Sequence, residues 1–196
     1  MLIDSHCHIN FRAYSEDTNE VIDRALASDI WLVNIGSQYS TSTRTIKIAE
    51  NYDQGVYAVV GLHPIHLIDD ITEGVIINGV KHEMTTKKEE FDYQKYKALA
   101  QSSKKVVGLG EVGLDYFHFK KTGINFEVNK NLQKTVFKQF IDMSLELNLP
   151  LVIHARGYQD DPYAVYDDIL TIIKSSPSQI KGVIHCFGGN LAQAQE

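Results

Sequence analysis

The sequence is short of the features that mark secreted, membrane-spanning and nucleic-acid-coating proteins. It has two cysteines in 196 residues, Cys7 and Cys186, far apart and each beside a histidine. That excludes a disulfide scaffold and suits a reduced intracellular chain with free thiols. The longest apolar runs, such as Val56 to Leu62 and Val106 to Leu109, fall far short of the ~20 residues that span a bilayer. The opening Met-Leu-Ile-Asp-Ser-His-Cys-His sets Asp4, His6 and His8 where a secretory signal needs an apolar core, so the expected compartment is the cytoplasm, with no membrane partner. Positive charge is scarce as well: 19 Lys and Arg against 25 Asp and Glu leave a net charge of −6. This argues against a module that holds nucleic acid by a broad basic face. It leaves room for an enzyme whose metal ions neutralise phosphates. Internal repeats, low-complexity tracts and linkers are missing. An apolar content of 43% with 22% charged residues excludes disorder and collagen-like sequence, and fits one globular domain over 1–196.

Short β-branched or aliphatic runs recur with helical patterns between them. Strands are expected at Leu2 to Cys7, Ile30 to Ile35, Val56 to Leu62, Val106 to Glu111, Leu151 to His154 and Gly182 to His185. Between them Val21, Ile22, Ala25 and Leu26 share one helical face, as do Leu132, Val136, Phe137, Phe140, Ile141 and Leu147, and also Ile169, Leu170 and Ile173. Strands alternating with helices imply parallel pairing with right-handed crossovers, and continuously apolar strands imply burial on both faces. The class is α/β. Doubly wound and barrel folds both fit, and the polar residues decide between them. Five of the eight histidines, His6, His8, His63, His154 and His185, sit at or just past strand ends, and Glu111 ends a strand in the same way. Chemistry gathered from many strand ends marks a (β/α)₈ TIM barrel, whereas an open sheet concentrates it at one switch point.

One stretch breaks the rhythm. Leu67 to Asp92 is too long for a βα loop of ~2 to 6 residues. Within it Val75, Ile76 and Ile77 precede Asn78-Gly79 and Val80, and Asn-Gly favours a tight hairpin turn because both turn positions need φ > 0. A β-hairpin insertion around 68–92 is expected, either covering the catalytic face or serving as surface decoration or a contact between copies. No oligomeric state is read from the sequence.

His6-Cys7-His8 is the strongest local signal. Residues i and i+2 of a strand share a side, so both imidazoles face the barrel axis while Cys7 faces the helices. Two neutral imidazoles from one strand make half a metal site; the alternative is a pair of satisfied polar histidines. Cys7 as a nucleophile is disfavoured by the same alternation. Glu111 would be costly to bury unless it is paired or ligates a cation. Its two oxygens could bridge two metals ~3.5 to 4 Å apart, or pair with a neighbouring strand-end residue. Asp115 could stand behind a metal ligand or fix the loop, and the structural role is favoured. His154 in Leu-Val-Ile-His-Ala-Arg and His185 in Gly-Val-Ile-His-Cys-Phe end apolar strands in register with Glu111. His63-Pro64 closes the third strand, where proline fixes the backbone; His63 could contact phosphate, orient a water or serve structure alone. Arg156 is a candidate phosphate contact. Lys120 and Lys121 read as solvated surface.

Together these residues resemble the TatD family of metal-dependent hydrolases, the TatD DNase-like branch of the amidohydrolase superfamily. The resemblance runs through the opening Asp-Ser-His-Cys-His, then Gly-Leu-His-Pro, Gly-Glu-Val-Gly-Leu-Asp-Tyr-Phe, the stretch from Gln133 to Arg156, and His-Cys-Phe-Gly-Gly. It implies a TIM barrel with two divalent metal ions (Zn, Mn or Mg) that hydrolyses phosphodiester bonds, with 3′ to 5′ exonuclease or DNase activity. DNA, with RNA as the alternative, is then a substrate and not a stable partner. Residue by residue, His6 and His8 match ligands of one metal, Glu111 the bridging and catalytic carboxylate, His154 and His185 ligands of the second metal, and His63 an active-site histidine.

The sequence departs from the family pattern near its end. The family carries a further aspartate ligand on the last barrel strand, in a Thr-Asp-Ala-Pro segment, and none follows His185. Six βα units fill 196 residues, where eight typically take about 250. The expectation is a C-terminally truncated barrel with six of eight units, its first and sixth strands left as edges. Two rival readings follow: a noncatalytic metal-binding paralogue, or an amidohydrolase acting on C–N or ester bonds. The second often uses a carboxylated lysine where this chain has Glu111.

Overall fold

The computed structural model describes residues 1–68, 71–77, 80–118 and 126–196. Its frame is a parallel six-stranded sheet made of β1 (Leu2–Cys7), β2 (Ile30–Ile35), β3 (Val56–Val60), β6 (Val106–Asp115), β7 (Leu151–Arg156) and β8 (Gly182–Ile184), hydrogen-bonded in that order. The helices are α1 (Thr18–Ala27), α2 (Tyr39–Glu50), α3 (Tyr93–Gln101), α4 (Phe126–Leu147), α5 (Ala164–Lys174) and α6 (Leu191–Gln195). Strand order follows chain order without a reversal, so there is no switch point of the kind that defines an open doubly wound sheet.

The sheet is curled. Six strands laid flat at about 4.8 Å spacing would hold the outer two about 24 Å apart. Yet the ring of His6 on β1 stacks on that of His185, just past β8, with centroids 3.5 Å apart and planes 9° apart. The C-terminal ends of the first and last strands therefore meet although the strands do not pair. The curl also divides the core in two. The larger part lies between sheet and helices and takes Leu32, Ala58, Val60, Leu109, Val112, Leu114, Leu151 and Ile153 from the strands, with Ile22, Phe137, Phe140 and Ile169 from the helices. The smaller part, Ile35, Val59 and Val152, comes from the alternate positions of β2, β3 and β7. Each fully buried Leu or Val contributes about 1.5 to 3 kcal/mol, so the central strands carry most of the stability.

Close backbone approach fixes the middle of the sheet. A Cβ at Gly61 would run into the backbone of Gly110, and one at Gly113 into the carbonyl of His154. Gly113 also has φ 142, which disfavours any side chain. The expected strand starts hold throughout, and four ends shift, β7 running past His154 to Arg156. β3 stops at Val60, β8 stops at Ile184, and β6 continues through Glu111 to Asp115. Gly110 and Gly113 let β6 pass close to β7.

The insertion is an antiparallel hairpin of β4 (Thr72–Ile77) and β5 (Val80–Thr85), paired from Thr72 with Thr85 to Ile77 with Val80. Asn78-Gly79, the expected turn, lies outside the described residues, as do Lys120 and Lys121. Among the described residues, no helix is long and apolar enough to cross a membrane.

Candidate metal centre

Glu111 stands at the middle of a ring of histidines. It is 5% exposed, and its two oxygens face different groups. Oε2 lies 3.4 Å from His6 Nε2 and 3.9 Å from His8 Nε2. Oε1 lies 2.9 Å from His154 Nδ1 and 3.9 Å from His63 Nε2. Two sets of three potential ligands result, His6 with His8 and Glu111, and His63 with Glu111 and His154. Burial alone would raise the carboxyl's pKa, but hydrogen bonding from His154 and His6 outweighs it and holds Glu111 ionised well below the usual carboxylate range.

The first set is an electron-rich cluster. His8 Nδ1 lies 3.1 Å from the Ile35 carbonyl; a carbonyl only accepts, so the proton sits on Nδ1 and the Nε2 lone pair points inward. Burial, opposed by Glu111, keeps this ring neutral by lowering its pKa. Its Nε2 is 3.2 Å from His6 Nε2, and His6 Nδ1 is buried with no hydrogen-bond partner. Ligand atoms around a tetrahedral ion at about 2.0 to 2.1 Å lie about 3.3 Å apart. The spacings of 3.2 and 3.4 Å from His6 Nε2 match that edge. Lone pair and carboxylate thus converge where a cation would balance them, and the residues fit one. Cys7 behaves as the alternation requires. Its Sγ contacts the Val33 carbonyl at 3.4 Å, and burial, with Asp4 adding to it, pushes the thiol up to about 12, so it is no nucleophile at neutral pH.

The second set is already compensated by its own proton. His154 reaches Glu111 Oε1 through Nδ1 and Asp115 Oδ2 through Nε2, both at 2.9 Å. Burial opposes the charge, yet the two carboxylates raise this imidazole to about 9. His63 differs. Its Nδ1 accepts from the Ile65 backbone N–H at 3.2 Å, so Nε2 carries the proton and faces Glu111. Burial, with repulsion from His154, keeps its pKa well below normal. His185 is held apart from both sets by its stack on His6; burial and then His6 lower its pKa. Arg156, at the end of β7, lies with its guanidinium 3.8 Å above the Phe117 ring.

Asp115, 2% exposed, is a direct partner of His154, a closer tie to the site than the favoured loop-fixing reading gave it. His63, expected as an active-site histidine, joins the Glu111 and His154 set.

A parallel, sequentially ordered β/α sheet with histidines and a carboxylate gathered at its C-terminal edge defines a TIM-barrel-type frame with a candidate metal centre. The comparisons agree. The family described as TatD related DNase matches residues 3–196, and the chain belongs to that family. It is 35% identical over 198 residues to the Bacillus subtilis uncharacterized metal-dependent hydrolase YabD, covering 100% of this chain and 64% of that protein. It is 25% identical over 196 residues to the Methanocaldococcus jannaschii uncharacterized metal-dependent hydrolase MJ1582, covering 99% and 62%. The crystal structure of YjjV, a TatD homolog from Escherichia coli K12, matches with a TM-score of 0.71 at 25% identity, covering 99% of this chain and 63% of that one. The chain thus spans less than two thirds of the length of these relatives.

Proposed function

We propose that this chain is a divalent-metal-dependent phosphodiesterase that cuts DNA, with RNA as the alternative substrate. The observation that carries the reading is the single carboxylate of Glu111 shared between two imidazole sets. His6, His8 and Glu111 Oε2 would hold one ion. Glu111 Oε1 and His154 Nδ1 would hold a second, with His185 as a further imidazole available beside His6. When bound, the ions would neutralise phosphate oxygens and make a water acidic enough to ionise near neutral pH. The mixed nitrogen and oxygen set suits Zn²⁺, Mn²⁺ or Mg²⁺, and the imidazoles favour the first two.

The chain's own residues then have separable tasks. Glu111 stays ionised and so serves as a ligand and not as a proton donor. Asp115 accepts from His154 Nε2, which leaves Nδ1 as the inward donor atom, the carboxylate–histidine arrangement that orients metal-bound imidazoles. His63, neutral with its proton on Nε2, can donate to a phosphate or leaving oxygen. Arg156 adds a fixed positive charge at the rim for a flanking phosphate. With a net charge of −6, the chain depends on bound metal to attract a polyanion, which fits a substrate released after cutting.

Metal content by elemental analysis, combined with hydrolysis of bis-p-nitrophenyl phosphate and of end-labelled single-stranded DNA, tests the reading. The label position reports whether cutting runs from the 3′ end. Glu111→Gln should lose bound metal and lower hydrolysis on the order of 10³-fold or more. Retained metal and turnover in that variant would overturn the proposal.

A further inference from the structure

Gln133 lies on α4, outside both imidazole sets, and is 1% exposed. A buried primary amide must place two donors and an acceptor, and the destinations here are specific. Oε1 accepts from the Asp115 backbone N–H at 2.9 Å, and Nε2 donates to the Asp115 carbonyl at 3.1 Å. The side chain thus pairs with both backbone groups of one residue, as a neighbouring strand would. Nε2 also donates to the Pro64 carbonyl at 3.4 Å. Donors and acceptors on the partners fix which end of the amide is oxygen, so the orientation has one solution.

What Gln133 touches gives the contact its meaning. Asp115 Oδ1 accepts from the Phe117 N–H at 3.1 Å, and Oδ2 takes His154 Nε2. Pro64 follows His63 and opens the short turn Pro64–Leu67 whose Ile65 N–H fixes the tautomer of His63. One amide therefore ties the end of β6, through Asp115 to His154, and the segment after β3, through Pro64 to His63. Those two imidazoles face the same oxygen, Glu111 Oε1.

We propose that Gln133 is a positioning residue that sets His154 and His63 in one frame around Glu111. The part of this inference that concerns metal rests on the proposed function above; the part that concerns the two imidazoles does not. A helix anchor with no effect on the site would use the same hydrogen bonds only to join α4 to the sheet, and the two roles separate experimentally.

The test uses the whole 196-residue chain, with Gln133→Met, which keeps the volume and removes all three bonds. The control is Ser144→Ala on the same helix, which removes a partly buried bond to the Leu149 carbonyl, two residues before β7 and at the end of that strand away from His154. Side-chain ¹⁵N spectra of the metal-free protein report the tautomers of His154 and His63. Visible absorption during Co²⁺ titration reports geometry and affinity. Gln133→Met should move both imidazole signals, weaken Co²⁺ retention about tenfold or more and change the visible bands, while Ser144→Ala lowers the melting temperature and leaves the signals in place. If Gln133→Met does not fold, Gln133→Glu keeps the acceptor for the Asp115 N–H, and it should still displace the His63 signal through loss of donation to Pro64. Unmoved His154 and His63 signals, with Co²⁺ affinity within twofold of wild type, overturn the inference. A wild-type chain that takes up no Co²⁺ overturns the proposed function instead, and the metal-free spectra still decide the role of Gln133.

Discussion

Strand β7 inside the sheet, and β1 and the residue just past β8 at its ends, place histidines around the carboxylate of Glu111 on β6, but they hold them differently. His154 has a carboxylate on each nitrogen, and Asp115 behind it is itself fixed by Gln133. His6 has a buried nitrogen with no partner and leans on His185 by ring stacking alone. The central half is complete as protein, with the proton of His154 supplying the positive charge. The edge half gathers lone pair and carboxylate without such a charge. Bound metal should therefore stabilise the edge half more, while loss of a side chain should damage the central half more.

The largest expected contrast is in folding stability. His154→Ala would leave Asp115 and Glu111, 2% and 5% exposed, without their shared partner. Breaking a buried ion pair typically costs about 3 to 5 kcal/mol. His6→Ala removes a ring with one unpartnered nitrogen and one hydrogen bond to Glu111, and should cost less, about 1 to 2 kcal/mol. Denaturant unfolding of the metal-free variants measures both, and equal losses would show that the two halves are built alike.

A second contrast lies in pH. The folded pKa of His154 is raised to about 9, above its unfolded value of about 6.5. Its stabilisation is thus in full below about 6.5 and is lost as pH rises through 9, a decline of about 3 kcal/mol in metal-free protein. His66, in the turn after β3, runs the other way. Burial, against a raising contact with the Lys87 backbone, lowers it to about 4. The unfolded chain takes up a proton that the fold refuses, so stability falls as pH drops from 6.5 toward 4, by about 1 to 2 kcal/mol at pH 5. Unfolding curves from pH 4 to 10 should show both limbs. His154→Ala should flatten the alkaline one and His66→Gln the acid one. An unchanged slope in either variant would remove the corresponding assignment.

The same contrast explains what could be read in the sequence. His6 and His8 were legible because strand alternation is local: two residues apart, one side of β1. Glu111 was legible because a carboxylate ending an apolar run needs a partner. Asp115 was undervalued because its partner is 39 residues away and because the strand was expected to end at Glu111, when β6 runs on to Asp115. A φ of 142 and the close pass of the His154 carbonyl make Gly113 a packing glycine, which no single sequence distinguishes from a turn. His185 looked equivalent to His154, each ending an apolar run. Yet β8 stops at Ile184, and Cys186 takes a left-handed φ of 49, so His185 leaves the ladder and stacks on His6.

The smallest expected effects belong to the outer strands themselves. Leu2 on β1 and Val183 on β8 are 69% and 54% exposed, whereas Leu109 and Leu114 on β6 are fully buried. Substitutions such as Leu2→Ser or Val183→Thr should change the unfolding free energy of this chain by no more than about 0.5 kcal/mol. Leu114→Ala should cost about 2 to 5 kcal/mol. The outer strands of this chain should instead govern its association, since an exposed apolar strand edge templates pairing between copies. Ile3→Lys places a charge on that edge and should raise the concentration at which the chain begins to aggregate, read by light scattering, with the melting temperature nearly unchanged. A large drop in melting temperature would instead mean that β1 is held by contacts as strong as those of β6. The division between a rigid centre and a loosely held edge would then have to be given up.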